Sequence, residues 1–183
     1  HVILQVVLYL KTPDSVIGVS TGNEAVELAK KIQESDGLHF KGLMAYEGAV
    51  LTENYESLVE TSRKTIQPIL DVRHDIETAG LDVEVVSIGG THNYEIAGST
   101  DGVTEVPAGS YALMDERYRL HRSEFSNAAR VLTCVTSMPA PGNIITDGGR
   151  KTMGGDDSDP GIVGIPGASV RGLSAEHFGI DVD

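Results

Sequence analysis

A chain of 183 residues with 40% hydrophobic and 22% charged side chains has room for one substantial globular domain or two small ones, and is too apolar for wholesale disorder. Its formal net charge of −13 argues against a nucleic-acid backbone or an anionic membrane surface as partner, because both recruit Lys and Arg. No run approaches the ~18 apolar residues of a membrane span, and no basic segment leads into an apolar one as in a signal peptide.

Residues 2–10 form a nearly continuous apolar run and read as a buried strand. A helix follows from about Gly22 to Ser35. Thr21 and Glu24 have capping-box spacing there, Ala25, Leu28, Ala29 and Ile32 make one apolar face, and Gly37 ends it. Residues 38–45 read as a second strand. A long helix covers roughly 54–79, with Leu58, Ser62, Ile66, Ile69 or Leu70, Arg73 and Ile76 at helical spacing; Pro68 predicts a kink or short break and Gly80 a stop. Strands are expected at 83–88 and about 103–106. Alternating strands and helices with short connections mean parallel βαβ units.

After Val106-Pro107-Ala108-Gly109 the helical period fades. Strand-like runs appear at 110–114, 130–137 and 143–147, separated by Pro139-Ala140-Pro141-Gly142 and by a Gly/Asp-rich stretch, 147–161. The predicted division is an α/β unit over 1–106 and a mainly β domain over 107–183. The one cysteine, Cys134, excludes an intrachain disulfide and a cysteine-cluster metal site. Its apolar setting predicts a buried, inert thiol, and a cytoplasmic location is the default. The chain opens with His1 on a strand pattern and stops at Asp183 just after Leu173-Ser174-Ala175-Glu176-His177, so it reads as a piece of a longer protein.

The most informative segment is Val83 to Tyr94, where a β-branched run stops at Gly89-Gly90-Thr91. Two successive glycines let the backbone turn sharply and bring its N–H groups close to an anion. At the carboxyl end of a strand in an α/β protein, that is where phosphate-bearing ligands sit. A plain strand-to-loop turn is the other reading of these residues alone.

The segments 37–48 (Gly-Leu-His-Phe-Lys-Gly-Leu-Met-Ala-Tyr-Glu-Gly), Ser87-Ile88-Gly89-Gly90-Thr91 and 104–115 (Thr-Glu-Val-Pro-Ala-Gly-Ser-Tyr-Ala-Leu-Met-Asp) are followed by Arg130-Val131-Leu132, Asp147-Gly148-Gly149-Arg150-Lys151 and the Leu173–His177 motif. In this order they resemble the D-threonine aldolase/D-serine dehydratase family of pyridoxal-phosphate (PLP) enzymes, which have the alanine-racemase type of barrel. The resemblance implies an α/β fold: the second half of a PLP-binding (β/α)8 barrel, followed by a mainly β domain. It implies that Gly89, Gly90 and Thr91 hold the PLP phosphate, with Tyr111 beside that phosphate or the substrate; Tyr46, closing a strand at the functional face, is a candidate cofactor or substrate contact. The implied reaction is aldol cleavage of D-threonine-like substrates or dehydration of D-serine, activated by a divalent metal, in a homodimer. An amino-acid racemase and a non-catalytic PLP-binding protein are the alternatives.

The same resemblance places the Schiff-base lysine upstream of His1 and the metal ligands beyond Asp183. No residue here is therefore assigned to catalysis or to metal, and the isolated chain is expected to be inactive. Half a barrel also predicts an exposed sheet edge at 2–10 or association with another chain. Three positions depart from the family pattern: Lys11-Thr12-Pro13-Asp14-Ser15-Val16 replaces an Asp/Gly/Arg loop, Ala49 a histidine, and His92-Asn93 smaller residues.

The remaining candidates have plain readings. Lys11 is a solvated loop lysine, and Glu47 is a weaker candidate than Tyr46. His92 could cover a ring or act in acid–base chemistry, but a surface loop histidine is favoured. His177 is read as a structural hydrogen-bonding residue, while His1, His39, His74 and His121 lack ligand spacing. Asp156-Asp157-Ser158-Asp159 is an acidic loop without the tail of a calcium site, and Asp147-Gly148-Gly149 is a turn or part of a site's mouth.

Overall fold

The computed structural model describes residues 2–12, 17–48, 54–154 and 158–182. Pro13 to Val16, Ala49, Asp156 and Asp157 therefore lie outside the described residues, as do both terminal residues. The chain divides into two compact units, His1–Gly109 and Ser110–Asp183.

In the first unit, β1 (Leu4–Tyr9), β2 (Leu38–Met44) and β3 (Val85–Ser87) form a parallel sheet in that order. The helices α1 (Asn23–Glu34) and α2 (Tyr55–Thr78) are long, and α3 (Tyr94–Gly98) is short. The core gathers Leu8, Leu10, Ile32, Phe40, Leu43, Ile66, Ile69, Val72, Ile76, Val86 and Ile88 from both long helices and all three strand regions. Gly42 lets β2 and β3 approach closely, since a Cβ there would lie 2.0 Å from the Val85 carbonyl oxygen.

Local expectations fail where tertiary structure intervenes. The Thr21/Glu24 capping box does not form: Gly22, at φ 92°, occupies the N-cap and no side chain caps the helix. α2 does begin on a side-chain cap, Asn54 Oδ1 accepting from the Ser57 amide at 2.9 Å. It then runs unbroken through Pro68. Ile66, Ile69, Val72 and Ile76 are buried on either side of that proline, each worth ~1.5–3 kcal/mol, which outweighs the ~3 kcal/mol of an interior proline. β1 is only partly buried: Leu4, at 60%, Gln5 and Val7 are exposed while Leu8 lies in the core. Among the described residues β2 is its one strand neighbour, and at its far end the Tyr9 carbonyl accepts from the Val19 amide at 2.8 Å on the other edge.

The run 103–106 is not a strand. It meets β3 through a single parallel bridge, Ser87 to Glu105. The Thr104 hydroxyl accepts from the Val86 amide at 2.9 Å, taking a place that a strand's carbonyl would hold.

The second unit is a four-stranded antiparallel sheet in the order β4 (Val135–Ala140), β5 (Asn143–Thr146), β7 (Phe178–Asp181), β6 (Ser169–Leu173). Pro139 sits in β4, an edge strand, where a missing N–H is tolerated. Two short helices join the sheet: α4 (Glu116–His121), whose first turn is capped by Asp115 Oδ1 accepting from the Tyr118 amide at 2.7 Å, and α5 (Arg150–Met153). The expected strand at 110–114 is a 3₁₀ turn over Ser110–Ala112, and the run from 130 becomes a strand only at Val135. Cys134 is exposed, not buried. Its segment precedes the edge strand, and Asp147 Oδ1 accepts from its amide at 2.8 Å. Among the described residues no helix is long and apolar enough to cross a membrane.

Candidate functional site

In a parallel sheet the carboxyl ends of the strands open on one side, and there β2 and β3 each run into a loop. The ends are tied together by the Ala45 amide, which donates to the Ser87 carbonyl at 3.0 Å. β2 continues into Tyr46 and Glu47, and β3 into Ile88-Gly89-Gly90-Thr91-His92-Asn93 and then α3.

Gly89 has φ 93°, and a Cβ there would come within 2.8 Å of the Ala97 Cβ and 3.0 Å of Asn93 Oδ1. Only glycine lets α3 fold back so tightly against the strand end. Gly90 is covered by two rings, since a Cβ would stand 3.3 Å from both Tyr46 Cε2 and His92 Nδ1. Its amide donates to Asn93 Oδ1 at 3.0 Å, and the Asn93 amide returns to the Gly90 carbonyl at 3.3 Å. This corrects the expectation for Gly90, whose N–H is turned into the protein and not toward a ligand. The Gly89 amide makes no hydrogen bond among the described residues. Thr91 is buried.

Behind the loop lies a polar cluster without surface access. Asn93 Nδ2 donates to Glu47 Oε1 at 2.7 Å and to Ser62 Oγ at 3.0 Å. His92 Nε2 meets the same Glu47 oxygen at 3.2 Å. Relative exposures are 6% for Glu47, 3% for Ser62, 1% for His92 and 0% for Asn93. Burial alone pushes the Glu47 carboxyl up, but hydrogen bonds from His92, from its own main chain and from Asn93, with the electrostatic attraction of the His92 ring, more than offset it, holding it below the usual carboxylate range. An ionised Glu47 accepts from His92 and assigns the proton to Nε2. The second carboxylate oxygen, Oε2, is buried without a hydrogen-bond partner among the described residues.

Tyr46 is 37% exposed, its ring edge-on to His92 with centroids 6.5 Å apart. Tyr111 belongs to the second unit, half-exposed in the 3₁₀ turn, its ring 5.7 Å from Phe125. Lys11 is exposed. Around His177 the main chain makes the local bonds: its amide donates to Ser174 Oγ at 3.0 Å and its carbonyl accepts from the Ser174 amide at 2.9 Å. Gly149 marks a close backbone approach, a Cβ there lying 2.6 Å from the Ala175 carbonyl oxygen. Among the described residues no three His, Cys, Asp or Glu side chains cluster as a metal site.

His92 is therefore no surface residue, and Glu47 matters more at this site than sequence reasoning allowed. Ser62 carried a usable signal, a polar residue on the apolar stripe of α2. Asn93 carried only its position after a Gly-Gly turn.

No family model matches the chain. D-threonine aldolase of Arthrobacter sp. is 31% identical over 173 residues, 91% of this chain and 45% of that protein. 3-Hydroxy-D-aspartate aldolase of Paracoccus denitrificans is 32% identical over 172 residues, 87% of this chain and 44% of that protein. The chain thus spans a little under half the length of these curated relatives. In fold it is similar to D-threonine aldolase from Filomicrobium marinum, with a TM-score of 0.92, 24% identity, and coverage of 99% of this chain and 51% of that one. An Ala racemase-like protein from Idiomarina loihiensis follows at TM-score 0.78 and 22% identity, over 99% of this chain and 52% of that one. In sequence the chain is thus homologous to D-threonine aldolase and 3-hydroxy-D-aspartate aldolase over nearly half of their length, and its fold is of the alanine-racemase type.

Proposed function

We propose that this chain is the phosphate-binding half of a PLP-dependent lyase acting on D-3-hydroxy amino acids, by aldol cleavage of D-threonine-like substrates or by dehydration of D-serine-like ones. The observation that carries the reading is the Gly89-Gly90-Thr91 turn at the carboxyl end of β3, with Gly89 in the left-handed region and its amide unbonded among the described residues. Such a turn fits a phosphate monoester: the glycines let the chain turn tightly at the strand end, and a main-chain N–H remains to donate.

In this reading Gly89 and Thr91 bind the phosphate, Gly90 makes the tight turn between them, and Tyr46 contacts cofactor or substrate. When bound, PLP supplies an electron sink for the pair left at the substrate's α-carbon. The chain's own residues bind and orient. The loop fixes the phosphate end, the Tyr46 ring stands over Gly90, and the buried Glu47–His92–Asn93 cluster keeps water from behind the loop. Activation by a divalent metal belongs to the same proposal, with ligands from outside the described residues. So do a cytoplasmic location and a homodimer.

The test joins this chain to the lysine-bearing half that the resemblance calls for. D-threonine, D-threo-3-hydroxyaspartate and D-serine are assayed with PLP, in divalent metal and in chelator. An aldehyde product establishes aldol cleavage, and ammonia with a 2-oxo acid establishes dehydration. Racemisation without either product points to the racemase alternative, and PLP uptake without turnover to a non-catalytic binder. Failure to take up PLP overturns the reading.

A further inference from the structure

We propose that Asn93 is a positioning residue for the phosphate loop: with Glu47 and Ser62 it holds the Gly90 peptide turned into the protein, and so gives the loop its receiving shape before any ligand arrives. The inference rests on the phosphate-site reading above and adds what shapes that site.

A Gly-Gly pair has more main-chain freedom to lose than any other dipeptide. A loop that its ligand must order binds that ligand more weakly, and one ordered beforehand does not. Here the ordering comes from a single carboxamide whose two ends are both used. Oδ1 accepts from the Gly90 amide at 3.0 Å. Nδ2 donates to Glu47 at 2.7 Å, beyond the end of β2, and to Ser62 at 3.0 Å, on α2. Three separate parts of the unit thus meet on Asn93, which has no exposed surface. The bond to Glu47 is charge-assisted, hence short and directional. His92 shares the same carboxylate oxygen at 3.2 Å and closes the cluster beside the Gly90 peptide. Fixing the Gly90 peptide fixes the orientation of its two neighbours, Gly89 and Thr91.

The readout is the ratio of PLP to pyridoxal affinity, measured by equilibrium dialysis against the purified protein. Pyridoxal lacks the phosphate, so the ratio isolates what the loop contributes. A defect that only weakens the fold lowers both affinities alike. In Asn93→Ala the ratio is expected to fall about tenfold, the loss of one charge-assisted bond's worth of preorganisation. Ser62→Ala, which keeps the Gly90 contact, is expected to lower it about two- to threefold. Ile32→Ala, buried on α1 away from the loop, lowers the melting temperature and leaves the ratio unchanged. An Asn93→Ala protein that melts earlier but keeps its ratio overturns the proposal. Should that variant not fold, an unchanged ratio in Ser62→Ala overturns it instead. A wild-type ratio near one defeats the phosphate-site reading itself and this inference with it, and it is seen before any variant is made.

Discussion

The two units solve the same problem, burying a sheet face, with different completeness. In the first, α1, α2 and the sheet enclose a core in which Leu10, Leu43, Ile66, Ile69, Ile76 and Ile88 are fully buried. That enclosure is also what lets Glu47, Ser62, His92 and Asn93 sit away from water with their partners at 2.7–3.2 Å. In the second unit the buried side chains are few, among them Met114, Tyr118, Phe178 and Ile180, while Leu132 is 97%, Met138 68% and Val163 67% exposed. One concavity there, about 1060 Å³, is lined by Met114, Phe125, Val135, Ile144 and Phe178, and the carboxylate on its wall, Glu116, accepts from Asn127 at 2.6 Å and from Arg119 at 2.7 Å where the side chains stay partly open to water. A buried polar network needs a packed shell around it, because each member left without a partner would cost more than it contributes. Candidate chemistry is therefore found in the better-enclosed unit.

Substitutions test this contrast. The largest effect is expected from Ile69→Ala, which removes a side chain buried between α2 and the sheet and should lower stability by ~2–5 kcal/mol in denaturant unfolding. A loss under ~1 kcal/mol would mean that the first unit is no better packed than the second. Gly89→Ala comes next. It forces a side chain into the left-handed region and against Ala97, and should cost ~1–3 kcal/mol together with any phosphate affinity; full stability would show that the turn can relax.

Acidification should act mainly on the first unit. Glu47 is held below its ordinary value, so the stability it contributes is complete above the unfolded carboxyl value, ~4.3, and is lost as pH falls through the folded one. Glu47→Gln removes that part of the acid limb. The stabilities of wild type and variant should draw together as pH falls below the unfolded value of ~4.3 and meet below the folded one; parallel curves throughout would show that Glu47 carries no linkage. The smallest effect is expected for Leu132→Ser in the second unit. At 97% exposure the side chain should change stability by no more than ~0.5 kcal/mol, and a larger loss would reveal that something in the folded protein covers it.

How much of this was legible beforehand follows from the range of each cause. The periodicities of α1, α2 and β2 are written in contiguous residues and appear in place, as does the turn after β3. β1 is a strand as expected but lies only partly buried, because burial depends on neighbours that no local pattern names. The proline in α2 and the Thr21/Glu24 spacing misled for the same reason. Packing on both flanks of Pro68 holds the helix together, and the φ of Gly22 excludes the box. β6 and β7 carry glycines, Gly172 and Gly179, and too short an apolar alternation to stand out.

The candidate site divides along the same line. By itself the sequence determined where a sharp, glycine-built turn ends a strand, and the order of motifs that pointed to the family, because both are matters of local composition and spacing. Only the tertiary structure decided that the Gly90 amide faces inward, that His92 is buried, and that Glu47 and Asn93, 46 positions apart, share a hydrogen bond. Those facts come from two strand ends being brought side by side, and the distance between residues in space is not a local property of the chain.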